Sequence, residues 1–268
     1  MTLVKIGGRF YDVPECWNEL TAAQLLQVIR VICLKDYRAE EMILKLLQVI
    51  TGMSDYRFLR QDLLELDEFL YLTAFLLREE MDFTHNLIPE YTFRDGDRQL
   101  TFYGPEDGFS NLRMEELALS EHLFLSWYEE KDNEQLLNEL VATIYRPAPA
   151  GYDLQRNPDG DRREPCNQNI SSFNARRYIA RWPLVVRLAI AYWYNGCKQA
   201  MIRSNTEVFE GGTGEPAKYG MVSVMLGVAE SGVFGPMDSV NRQYVNLVMM
   251  HLNEQVALAK KMKEESKA

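Results

Sequence analysis

Histidine is scarce in this chain of 268 residues, which has only His85, His122 and His251. None stands in an E-x-x-H or H-x-x-x-H spacing, so the helical ligand sets of di-iron bundles and zincins are missing. A metal site needs three or four converging ligands, and no spacing here gathers them. No metal or other cofactor is expected. Cysteine is equally sparse. Cys16, Cys33, Cys166 and Cys197 form no C-x-x-C pair, and in a chain of this size such scatter reads as free thiols in a reducing compartment. There is no G-x-S-x-G elbow for a nucleophilic serine. The one glycine-rich stretch, Gly211-Gly212-Thr213-Gly214, runs into Glu215-Pro216, with no preceding strand and none of the G-K-[ST] of a phosphate loop. Long apolar runs are also lacking. The longest, Pro183 to Tyr194, contains Arg187 and spans 12 residues. That is too short to cross a bilayer and reads as a buried helix. Met1 to Pro14 carries charges and two glycines but no apolar core of an export signal. A cytoplasmic protein without a catalytic constellation is expected.

What is present is charge, unevenly placed. Residues 51–145 hold 21 Asp and Glu against 7 Lys and Arg, while residues 146–203 hold 10 Lys and Arg against 4 Asp and Glu. The formal net charge of −10 argues against nucleic acid as the default partner, because phosphate binding needs a basic face. The changeover falls at a polar segment, Arg146 to Asn174, with Pro147, Pro149, Gly151, Pro158, Gly160 and Pro165. Structureless segments of this length are functional or disordered more often than packed. This one is expected to be mobile, or ordered only by a contact.

The periodicity predicts a mainly α protein, a multi-helix, bundle-like domain with two small β-hairpins near 4–13 and 90–103. Gly7-Gly8 and Asp95-Gly96 supply the turn residues of the hairpins. Thr21 and Gln24 have the spacing of a capping box, opening a helix that runs to about Cys33. A second helix covers about Arg38–Ile50, with Gly52 placed for a left-handed C-terminal residue. A third, about Asp62–Glu80, is apolar on nearly every face through Leu63, Leu66, Phe69, Leu70, Leu72, Leu76 and Leu77, the mark of a central core helix. Helices follow at about Leu112–Glu130 and Glu134–Tyr145, the latter with Asp132 and Gln135 spaced as a cap and its partner. Helical pattern resumes near Ala175, must kink or restart at Pro183, and ends in one long helix over about Met237–Lys263. The expected organisation is an acidic region 1–145 with both hairpins, the polar segment 146–174, and a helical region 175–268 forming one compact unit with the first.

The basic region is built from arginine with almost no lysine. Arg156, Arg162, Arg163, Arg176, Arg177, Arg181 and Arg187 are interleaved with Tyr152, Phe173, Tyr178 and Trp182. Guanidinium groups favour planar, bidentate pairing with carboxylates or phosphates. The chain's own acidic half and a partner or neighbouring subunit are the two readings, with single-stranded nucleic acid a third. Arg156, Arg162, Arg163, Arg176, Arg177, Arg181 and Trp182 are the candidate docking residues. The adjacent acidic pairs Glu40/Glu41, Glu79/Glu80, Glu115/Glu116 and Glu129/Glu130 read as solvated helix faces, since neighbouring helical residues point in different directions.

Three segments carry a resemblance. Val13-Pro14-Glu15-Cys16-Trp17-Asn18-Glu19-Leu20-Thr21 leads into the Gln24-Leu25-Leu26 helix. Leu137-Asn138-Glu139-Leu140-Val141-Ala142-Thr143-Ile144-Tyr145-Arg146-Pro147 precedes the charged segment. Val228-Ala229-Glu230-Ser231-Gly232-Val233-Phe234-Gly235 precedes the terminal helix. This arrangement resembles uncharacterised helical proteins of the tail-assembly modules of tailed phages and prophages. The resemblance implies a non-enzymatic role like that of a tail assembly chaperone, which binds a helical partner such as a tape-measure protein in the host cytoplasm. Alternatives are a virion structural component (a head–tail connector, neck protein or tail adaptor) and an enzyme with dispersed catalytic residues. Self-association into a homo-oligomer is compatible with each.

Overall fold

A computed structural model of the chain describes residues 1–153, 160–210 and 220–266. In chain order the strands are β1 (Thr2–Ile6), β2 (Arg9–Val13), β3 (Glu90–Asp95), β4 (Arg98–Tyr103) and the two-residue β5 (Arg146–Pro147). The helices are α1 (Ala22–Cys33), α2 (Ala39–Thr51), α3 (Asp55–Phe58), α4 (Leu63–Asp67), α5 (Met114–Glu129), α6 (Glu134–Ile144), α7 (Gln168–Arg177), α8 (Leu184–Ser204), α9 (Thr206–Glu210), α10 (Met221–Ser231), α11 (Met237–Asn241) and α12 (Val245–Glu265). Helix makes up 60 % of the described residues, with two small antiparallel sheets, so the chain is mainly α with two hairpins where the turn residues predicted them. Among the described residues no helix is long and apolar enough to cross a membrane. The chain forms two compact units, neither continuous: Met1–Ile88 with Pro183–Ala200, and Pro89–Trp182 with Met201–Ala268. The division therefore does not follow the predicted borders at 145 and 174.

In the first unit β1 and β2 pair with Thr2 opposite Val13 and Ile6 opposite Arg9. Alternation buries Val4, Ile6 and Val13 and leaves Leu3 and Phe10 outside. The Thr21 hydroxyl accepts the Gln24 N–H at 3.2 Å, and the Gln24 side-chain oxygen Oε1 accepts the Thr21 N–H at 3.0 Å, closing the predicted capping box. Gly52 ends α2 at φ +66°, as its spacing predicts. The core includes Leu25, Ile29, Leu46, Leu47 and Ile50 together with Trp17 and Phe83, whose rings stack 5.5 Å apart. The Trp193 indole on α8 donates to the Thr84 carbonyl at 3.1 Å. Gly196, on the same helix, lets the Phe83 backbone approach so closely that a Cβ there would lie 2.4 Å from the Phe83 carbonyl oxygen.

One prediction for this unit fails. The long helix over 62–80 is instead α4, capped by Asp62, followed by a 3₁₀ segment, Leu70–Leu76. A helix apolar all round specifies no single inward face, and tightening to three residues per turn changes which side chains point in. Leu66, Leu72 and Leu76 are buried, but Leu63, Leu64 and Leu77 stand in solvent.

In the second unit β4 is the middle strand of the sheet β3-β4-β5, with Phe102 opposite Pro147 and Tyr103 opposite Arg146. The helices α5 and α6 pair, and α7 lies on α6. Asn133, rather than Asp132, caps α6, accepting the Leu136 N–H. The predicted terminal helix is two helices, because the turn after α11 brings Met114 N–H onto the Gln243 carbonyl and Val245 N–H onto the Leu112 carbonyl. The expectation of a polar loop over 146–174 also needs correction. Arg146 and Pro147 are strand, the Glu164 N–H donates to the Pro147 carbonyl at 2.8 Å, and α7 begins at Gln168. Its first turn is capped by the Asn167 side-chain oxygen Oδ1, which accepts from the Asn169 and Ile170 N–H groups, a short-range cap that the proline content of the segment obscures.

Candidate functional site

Two features of the described chain go against the ordinary partition of residues, and each is a candidate site. The first lies in the second unit. Glu116, Arg146, Asp161 and Arg163 are all buried. Glu116 is the third residue of α5, where a carboxylate can satisfy a free N–H of the first turn. One of its oxygens accepts the Arg113 N–H at 3.1 Å and faces Arg163 at 3.3 Å. The other meets the Arg146 guanidinium directly. Arg146 also donates to the carbonyls of Thr143 and Glu164. Arg163 grips Asp161 in a two-pronged contact, 3.0 and 2.9 Å, and donates to the carbonyls of Asn111 at 2.9 Å and Ile144 at 3.3 Å. Burial pushes the Asp161 carboxyl up, but the Arg163 guanidinium and N–H hold it below its usual range. Burial likewise opposes the charge on Arg163, and Glu116 and Asp161 more than offset that.

This network ties residues 161–164 to the end of α6. Its guanidinium donors face acceptors of the same chain, the condition under which buried charge is tolerated. Beside it, burial raises Glu115 and pushes the Cys166 thiol up to about 11. A thiol so raised is protonated at neutral pH and a poor nucleophile. The arrangement is chemically suited to holding a segment in place. Among the described residues, no group of three or more His, Cys, Asp or Glu is placed to hold a metal ion.

The docking residues predicted from sequence are scattered over different environments. Arg156 lies outside the described residues. Arg162 is exposed, its guanidinium 5.6 Å from the Tyr103 ring centre. Arg163 is in the buried network. Arg176 is exposed. Arg177 and Arg181 fork onto Asp95 at 2.8 and 2.7 Å, and those bonds, Arg181 first, hold the Asp95 carboxyl below its usual range. Trp182 is buried against Tyr91, Phe102 and Tyr145. Arg187, in the same basic region but outside the candidate docking set, belongs to α8 in the first unit. The carboxylates that these arginines meet, Asp95 and Glu116, come from the acidic stretch 51–145, and Asp161 comes from the polar segment itself. The partner role of Glu116 was missed because Glu115-Glu116 reads as a solvated pair; its place three residues after Arg113 was the available signal.

The second feature lies in the first unit. Phe58 and Leu66 are buried and anchor α3 and α4, while Leu59, Leu63 and Leu64 are 82, 69 and 78 % exposed. Tyr56 and Tyr71, on either side of them in sequence, are also exposed. The Gly7 N–H donates to Glu65 at 2.8 Å, seating the first hairpin's turn on the same segment. The exposed carboxylates Asp55, Asp62, Asp67 and Glu68 are the leucines' neighbours in sequence, with Arg57 and Arg60 among them. Scattered surface leucines are ordinary, whereas clustered ones mark interaction sites.

No family model, curated protein or solved structure matches this chain.

Proposed function

We propose that this chain is a non-enzymatic phage or prophage assembly protein, of the tail-assembly-chaperone kind, that binds a helical protein partner such as a tape-measure protein. The observation that supports this reading is the leucine surface of α3 and α4: burying it needs something besides the neighbouring core. Covering an apolar stretch of an unassembled partner would remove both surfaces from water, and a net charge of −10 would keep such a complex apart from its copies. The resemblance of the segments 13–21, 137–147 and 228–235 supplies the biological setting.

The test is co-expression with the tape-measure protein encoded in the same tail module, followed by mass spectrometry of purified particles. A chaperone retains the tape-measure protein in the supernatant, co-purifies with it, and is absent from finished particles. Stoichiometric presence in the particle would instead make the chain a connector, neck or tail component. Failure to change the partner's recovery, with no presence in particles, would overturn the assembly role.

A further inference from the structure

We infer that the surface formed by Leu59, Leu63 and Leu64 is a docking site for a basic amphipathic helix. The inference deepens the assembly reading by naming what the partner presents, and rests on it for the existence of a protein partner. Three observations converge. Each exposed leucine neighbours a buried anchor or a capping residue: Leu59 follows Phe58, and Leu63 and Leu64 follow Asp62, whose carboxylate accepts the Leu64 N–H at 3.1 Å. The leucines are therefore held outward by a fixed local frame.

Much of the segment's backbone is bonded within its own turns. Phe58 and Leu59 N–H donate to Ser54 and Asp55 carbonyls, Arg60 and Gln61 to Arg57 and Phe58, and Leu66 and Phe69 to Asp62 and Leu66. These short-range helical and turn bonds make the segment a poor template for strand addition. A partner must bring its own satisfied backbone, which a helix does, and read the surface through side chains.

Charge selects the sign of that helix. Residues 54–68 contain Asp55, Asp62, Glu65, Asp67 and Glu68 against Arg57 and Arg60; Asp55 is paired with Lys45 at 4.0 Å, so Asp62, Asp67 and Glu68 carry the acidic rim, and the Arg60 guanidinium is drawn over the Tyr56 ring at 4.4 Å. An apolar stripe flanked by lysines or arginines meets leucines in the centre and carboxylates at the rim. An acidic amphipathic helix meets like charge, which suppresses wrong partners.

The experiment uses the full chain and two probes of about 14 residues, roughly four helical turns. One places leucines at helical spacing among lysines; the other replaces each lysine with glutamate. Titration by fluorescence anisotropy is expected to show saturable binding of the Leu/Lys peptide that weakens with added salt, and none of the Leu/Glu peptide. Leu59→Ser with Leu64→Ser should weaken the Leu/Lys peptide about tenfold or more, as loss of central apolar contacts does. Asp67→Lys with Glu68→Lys should weaken it and reduce the salt dependence. Leu258→Ser with Met262→Ser, exposed positions on α12, should leave it unchanged. Wild-type binding by the Leu59/Leu64 variant, equal loss by the α12 variant, or equal affinity for the Leu/Glu peptide would each overturn the site. If the tape-measure protein co-purifies undiminished with the Leu59/Leu64 variant, the assembly reading stands and this surface is not the means. If the peptide result holds while no tail protein is retained, the surface stands and the assembly reading fails.

Discussion

The charges buried in the second unit and the leucines exposed on the first break the same rule in opposite directions. Glu116, Arg146, Asp161 and Arg163 sit where apolar residues belong, yet their partners are supplied by α5, the end of α6 and the segment after it. Leu59, Leu63 and Leu64 sit where polar residues belong, and solvent is what meets them. An inversion matched within the chain holds the chain together. One left unmatched directs attention outward.

The comparison can be broken first at Glu116, where the largest effect is expected. Glu116→Ala leaves Arg146 and Arg163 buried without their shared carboxylate. Removing one side of a buried ion pair costs about 3–5 kcal/mol, and urea unfolding monitored by Trp fluorescence should show it. A change below about 1 kcal/mol, the range of an exposed pair, would mean that the network is solvated and the contrast between the units false.

A smaller effect should appear on acidification. Because Asp161 is held below the ordinary carboxylate range, it contributes stability above its unfolded-state value, about 3.9. That contribution is lost as pH falls through the lower folded-state value. Glu115 has the opposite sign: burial raises it, so its contribution declines as pH rises from the ordinary glutamate value through the raised one. Asp161→Asn should therefore flatten the loss of stability below about pH 4 and leave the Glu115 slope in place. Superimposable urea midpoints for the two proteins across that range would contradict the assignment.

The smallest effect sharpens the other side of the comparison. Leu59→Ser with Leu64→Ser should change stability by no more than about 0.5 kcal/mol per site, the usual size at exposed positions. A thermal scan that fell by many degrees would show those leucines to be part of a core and remove the outward reading.

What could be read from sequence was local. The capping box at Thr21 and Gln24 joins residues three apart, and Gly7-Gly8 and Asp95-Gly96 announce their own turns, so both hairpins and α1 fall where expected. The Glu116 network joins residues 30 and 47 positions apart, and nothing local to Asp161-Arg162-Arg163-Glu164 says that its alternate residues turn inward. Prolines and glycines around that tetrad pointed to a loop, which is true of the backbone and misleading about the side chains. The leucines of 59–64 were legible as apolar but not as exposed, since hydrophobicity without a preferred face leaves direction to tertiary packing.

The interruption of the first unit by residues 89–182 has a consequence for synthesis. Thr84 and Trp193 are bonded across 109 positions, and Met81 donates to Gln199 across 118. A ribosome that has released residues 1–88 has not yet made the α8 residues that close their core. The amino-terminal hairpin and its helices must wait through the translation of nearly a hundred further residues, a delay of seconds at about 5–20 residues per second. For that interval Trp17 and Phe83 lack α8, and the nascent chain depends on whatever else keeps its apolar surfaces from one another.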